Sequence, residues 1–188
     1  CGILFTELPD EQFDAPLGIS SGAGLIFGAT GGVMEAALRT VSEIVTGKEA
    51  KSLDFKEVRG TQGIKEAAYD IGGTKVKVAV ASGLANARKL MEEVRAGNAD
   101  YHFIEIMSCP GGCVNGGGQP INSAFVRNNK DVPALRAKAI YDTDKKMKLR
   151  KSHENPVIKE LYDEFLGKPN SHLAHELLHT KYVPRNNY

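Results

Sequence analysis

The chain has 188 residues with 41% hydrophobic residues, enough to enclose one substantial core, and Lys plus Arg number 24 against 23 Asp plus Glu. That balance excludes the electrostatic footprint of a nucleic-acid binder and any polybasic membrane anchor. No apolar run approaches the roughly 18 residues that span a bilayer, and no basic-then-apolar leader opens the chain, so a soluble, cytoplasmic setting is expected, with a periplasmic one still open.

Residues 1–30 alternate turn residues with short apolar pieces, and Ser20-Ser21-Gly22-Ala23-Gly24 predicts a loop that approaches something closely. The chain begins with Cys1, not Met, inside this patterned stretch, so the natural start is expected upstream. From Gly31, apolar residues at Met34, Leu38, Val41 and Val45 recur at helical spacing until Gly47. Phe55–Arg59 and Glu66–Ile71 predict short strands. Lys75–Val80 alternates strictly, with Gly72-Gly73 as the turn of a hairpin.

Leu84, Ala87, Leu90, Met91 and Val94 predict an amphipathic helix ending at Gly97, and Tyr101–Met107 a strand after it. Strand, helix, strand implies a right-handed parallel crossover, and ligands of such units sit beyond the carboxyl ends of the strands. Here that end runs into Ser108-Cys109-Pro110-Gly111-Gly112-Cys113. Helices are expected over Pro133–Lys146 and Pro156–Phe165, the second closed by Gly167. The charge-rich stretch Asp142–Lys151 reads as a solvated helix face. The fold class is therefore α/β: one domain with a small mixed sheet, a parallel βαβ unit, helices on its faces and an extended C-terminal tail.

Three cysteines, of which only Cys109 and Cys113 lie close together, suit a reducing compartment or a metal site better than a disulfide framework. Thiolates bind soft metals, and a glycine-rich backbone can pass close to an inorganic cluster while aiming amide N–H groups at its sulfides. From spacing alone, a tight turn holding two small buried cysteines, or a redox pair, accounts for the residues equally well.

The whole string from Glu105 to Pro120, EIMSCPGGCVNGGGQP, closely resembles the third signature motif of iron-only hydrogenases. Ser21–Gly24, Phe27–Thr40, Val58-Arg59-Gly60, Gly63-Ile64-Lys65 and the tail from Arg150 to His179 resemble further family segments, so nearly the whole chain is covered. The resemblance implies the C-terminal lobe of the catalytic domain over residues 1–188, with its upstream lobe missing. It also implies a 4Fe-4S cluster ligated by Cys109 and Cys113, with Cys113 bridging to a di-iron subcluster where hydrogen is made or split. Met107 would pack against the di-iron site, and Phe27 and Val33 would help wall an apolar cavity. The partners implied are the upstream lobe and a ferredoxin-like electron carrier.

The family's first two motifs, which supply the other cubane cysteines, a lysine and the proton-relay cysteine, are absent, and Cys1 matches none of them. The chain alone is expected to be inactive. Two alternatives stand beside this reading. One is a non-catalytic iron-sulfur binding or assembly protein of the same fold. The other is a zinc hydrolase, because His175-Glu176-Leu177-Leu178-His179 satisfies the H-E-x-x-H pattern, with His172 upstream. Dinucleotide binding at Gly22-Ala23-Gly24 is set aside, since the third glycine falls at Gly28 and no clear strand precedes it.

Overall fold

A computed structural model describes residues 2–12, 18–50 and 52–184. Cys1, residues 13–17 of the N-terminal loop and the end of the tail lie outside the described residues. The chain divides into two units, residues 21–154 and residues 1–20 with 155–188.

In the larger unit the predicted loop at 20–24 is instead the start of a short helix, α1 (Gly22–Ile26), because Ser21 caps it, its Oγ accepting from Gly24 N at 3.1 Å. Gly22 is required by packing: a Cβ there would lie 2.0 Å from Asp144 Oδ1. Helix α2 (Gly32–Thr46) follows and stops at Gly47, whose φ of 62° closes it. Met34 and Leu38 are buried as the periodicity requires, whereas Val41 and Val45 remain exposed.

Strands β1 (Ile64–Ile71) and β2 (Thr74–Ser82) form the expected antiparallel hairpin, with Gly72 and Gly73 both at positive φ as a two-residue turn demands. Helix α3 (Leu84–Arg95) carries the chain to β3 (Phe103–Met107), which pairs parallel to β2, giving the order β1-β2-β3. Alternate residues of central β2 face opposite ways. Val78 and Val80 pack with Met34, Leu38, Val58 and Ile71, while Ala79 and Ala81 pack with Ala87 and Leu90 of α3. The sheet is thus covered by α2 on one face and α3 on the other.

Phe55–Arg59 is not a strand. Lys56–Val58 forms a 3-10 turn, Arg59 N bonding back to Lys56 O, because Val58 inserts into the core from this bend while Arg59 turns toward Glu35. A helix not foreseen from the sequence, α4 (Ala124–Asn129), is capped by Ser123. Helix α5 (Val132–Lys146) packs Ala137 and Tyr141 against Ala23, Ile26 and Ala29.

The Asp142–Lys151 stretch is only partly a solvated face. Asp144 is fully buried against Arg39, and Lys151 is buried between Glu43 and Glu154. Arg39 uses every donor of its guanidinium: Nε to Leu53 O, Nη1 to Asp144 Oδ1 and Arg150 O, Nη2 to Glu35 Oε1 and Asp144 Oδ2, all at 2.8–2.9 Å. Glu35 also takes Arg59, and Asp144 also takes Arg150.

In the smaller unit, α6 (Pro156–Leu161) starts at proline after the Asn155 cap and passes into a π-helical turn, Tyr162–Leu166, before Gly167. Ser171 then caps α7 (His172–Leu178). Residues 180–184 have no regular structure. Among the described residues no helix is long and apolar enough to cross a membrane.

Candidate metal centre

The parallel strands β2 and β3 end side by side, with Ser82 opposite Met107 and Gly83 N donating to Met107 O at 2.8 Å. Two chain segments therefore leave the sheet from one place, the position at which βαβ units bind ligands. One of them is the loop from Ser108 to Cys113.

Backbone and hydroxyl groups fasten this loop on two sides. The buried Ser82 Oγ accepts from Gly111 N at 2.9 Å and donates to Thr61 O at 3.0 Å. Opposite, the turn after α1 clasps it: Thr30 N donates to Gly111 O at 3.2 Å and Val114 N to Gly28 O at 3.0 Å. Gly112 N closes back on Cys109 O at 2.9 Å, and Cys113–Asn115 continues as a 3-10 turn. The backbone of Gly111 and Gly112 is buried, yet Cys109 and Cys113 are unpaired and exposed. Among the described residues the two thiols are thus not core side chains.

The glycines owe their presence to something other than sulfide contacts at two positions. Gly111 and Gly112 have φ of 84° and 92°. A Cβ on Gly112 would also lie 2.8 Å from Gly28 O and 2.9 Å from Thr30 N. The amides of Gly111, Gly112 and Val114 are taken by protein acceptors, so they do not aim at a cluster as the sequence suggested. Gly117 and Gly118 stand in open space.

A second brace escaped the sequence reading. Glu105, buried in β3, accepts from Gly31 N and Met34 N at 2.7 Å each, tying the strand that leads into the loop to the first turn of α2. A carboxylate there satisfies orphan amides at a helix N-terminus. Burial pushes its carboxyl upward, against the downward pull of the two amides and Lys65. The available signal was a single acid inside the apolar run Phe103–Met107.

Met107 is half-buried at the end of β3. Phe27, 44% exposed at the end of α1, and half-buried Val33 in the first turn of α2 lie to either side of the Gly28–Thr30 clasp. A depression of about 410 Å³ borders the continuation of the loop at Asn115, Gly116, Gln119 and Pro120. Another, of about 570 Å³, is lined by Thr61, Gly63, Ser82, Asn86, Ser108 and Pro110. Two exposed thiols on a braced backbone fit two corners of a four-ligand iron-sulfur site, and the other two ligands must come from elsewhere. The H-E-x-x-H residues form a separate group on α7, with the His175 and His179 rings 4.3 Å apart.

The sequence matches the family described as "Iron only hydrogenase large subunit, C-terminal domain" over residues 1–117, and "Iron hydrogenase small subunit" over residues 130–185. It is 52% identical to the NADP-reducing hydrogenase subunit HndD of Solidesulfovibrio fructosivorans, covering 97% of this chain and 30% of that protein. A solved structure of a variant of the [FeFe]-hydrogenase HydA1 from Chlamydomonas reinhardtii superposes with a TM-score of 0.69 at 44% identity, covering 97% of this chain and 52% of that one. The cytosolic iron-sulfur assembly component 3 of Mus musculus is more distant, 27% identical over 96% of this chain and 37% of its own length. The chain thus spans between 30% and 52% of the length of these relatives.

Proposed function

From the premise that this chain belongs to the iron-only hydrogenase family, we propose that it is the C-terminal lobe of a hydrogenase catalytic domain, residues 1–188, which works only when joined by its upstream lobe. The observation that carries this reading is the pair of exposed, unpaired thiols on a loop whose backbone is held on both sides.

In this reading Cys109 and Cys113 hold one side of a 4Fe-4S cluster, and Cys113 also joins it to a di-iron subcluster. When bound, that group supplies the low-valent iron and the electron relay for combining two protons and two electrons into hydrogen. The rest of the chain's work is placement. Ser82, Gly28 and Thr30 fix the loop through Gly111 and Val114, and Glu105 sets the angle at which β3 delivers it. Met107, Phe27 and Val33 offer apolar surface that keeps water and stray ligands from reactive iron. The remaining ligands belong to the upstream lobe. A cytoplasmic setting and a ferredoxin-like electron carrier accompany the proposal.

The assembly-protein alternative has weaker support, 27–30% identity to iron-sulfur assembly proteins against 52% for HndD. Anaerobic reconstitution with iron and sulfide, followed by loading with a pre-assembled di-iron carbonyl–cyanide subcluster, with the upstream lobe co-expressed, tests the proposal. Iron, labile sulfide and hydrogen evolution are expected together, all lost in Cys109→Ser/Cys113→Ser. Cluster without hydrogen evolution would favour the assembly protein, and iron content indifferent to both cysteines would overturn the site itself.

A further inference from the structure

The five histidines divide by what their rings do. His102 Nδ1 accepts from Lys77 N at 3.1 Å. His153 has both nitrogens engaged, with Thr40 Oγ1 at 3.0 Å and Glu43 Oε2 at 2.9 Å. The other three, His172, His175 and His179, have no ring hydrogen bond under 3.5 Å among the described residues, and all three fall on one short segment.

That segment is α7 with its C-cap. Residues 172, 175, 176 and 179 recur at helical spacing and share one face. The His175 and His179 rings meet edge to face at 4.3 Å, one turn apart. His172 Nδ1 lies 3.9 Å from Glu176 Oε2 on the same face. Together with Lys181 these four side chains line a depression of about 630 Å³.

We propose that α7 carries a divalent transition-metal site, independent of the iron-sulfur loop. His175 and His179 are its principal ligands, and Glu176 and His172 complete it. Three imidazoles and one carboxylate are the borderline nitrogen and oxygen donor set that zinc prefers, and it lacks the thiolates an iron-sulfur cluster requires. The two rings need only rotate about their side-chain bonds to bring a nitrogen each onto one ion.

The other mixed cluster in the protein makes a useful contrast. Among the described residues Glu43, His153 and Glu154 are the set of three whose ligand atoms already lie within 4.8 Å of one another, but the Lys151 ammonium lies 2.8 Å from Glu43 and 2.7 Å from Glu154. A cation there would have to expel a buried ammonium and break both His153 bonds. On α7 nothing need be displaced among the described residues, and Lys181, the cation lining the depression, is exposed.

The test is zinc titration of the 188-residue chain against a fluorescent chelator, in a Cys1→Ser/Cys109→Ser/Cys113→Ser background that removes competing thiolates. One saturable zinc site is expected. His175→Ala or His179→Ala should weaken it at least about tenfold, and Glu176→Ala or His172→Ala by less. Lys181→Ala should tighten it, and His153→Ala should leave it unchanged. Because the altered side chains are exposed, circular dichroism should show the fold retained. Absence of saturable binding, or binding indifferent to His175→Ala and His179→Ala, would overturn the proposal, whatever the fate of the hydrogenase reading.

Discussion

Replacing Arg39 with methionine should strongly destabilise the unit spanning residues 21–154. The substitution keeps a long unbranched side chain but strands two fully buried carboxylates, Glu35 and Asp144. Breaking a buried ion pair from one side costs about 3–5 kcal/mol. Two partners remain to blunt the loss, since Arg59 still bonds Glu35 at 2.7 Å and Arg150 still bonds Asp144 at 2.7 Å. The lower end, about 3 kcal/mol, is therefore expected, a fall in Tm of about 6–12 °C for a chain of this size. Arg39→Lys should fall between parent and methionine variant, because an ammonium offers three donors where the guanidinium offers five in a planar fork. Lys138→Ala, which removes only an exposed pair with Asp142 on α5, should cost no more than about 0.5 kcal/mol. Urea unfolding under reducing conditions, followed by circular dichroism, reads all three. An Arg39→Met loss below about 1 kcal/mol would refute the view that these charges depend on one another.

Two further outcomes follow from the same geometry. Gly112→Ala forces a Cβ to within 2.8 Å of Gly28 O at a φ of 92°, so thermal denaturation should show a loss of about 1–3 kcal/mol and reconstitution a lower iron uptake. Gly117→Ala, with nothing within 4 Å, should be silent in both assays. As for pH, the amide of Ala50 and the ammonium of Lys151 hold Glu43 at about 2, below the ordinary 4.5. Arg59 and Arg150 outweigh burial to depress Asp54, and Arg39 with Arg150 do so for Asp144. Each depressed carboxyl lends stability that is complete above its unfolded value and lost as pH falls through its folded one. Glu105, raised by burial, acts in the opposite sense. Urea midpoints should be flat above about pH 5 and fall steadily toward pH 2; midpoints that rise on acidification would contradict the assignment.

Much of the fold was legible because it depends on local periodicity. Gly72-Gly73 between alternating strands specified the hairpin, Gly47 specified where α2 stops, and the run from Lys75 to Met107 specified the strand-helix-strand unit. The loop from Cys109 to Cys113 was legible for a different reason: thiols between glycines are chemically distinctive wherever they occur. Lys56–Val58 was misread because short apolar runs suit either a strand or a core-facing bend, and only the position of Val58 among Met34, Leu38 and Ile71 decides between them.

What the linear order determined, then, were the elements whose information lies within a few residues: helix stripes and turn glycines. What tertiary structure alone decided was which groups separated by long stretches of chain satisfy one another. Asp144 became a buried ion rather than a solvated one because Arg39, 105 positions away, reaches it. Glu105 became a cap for a helix 71 positions earlier. The amides of Gly111 and Val114 turned to Ser82 and Gly28 instead of a cluster. A buried polar group must find a partner, but its own neighbourhood in the sequence does not name that partner; packing does.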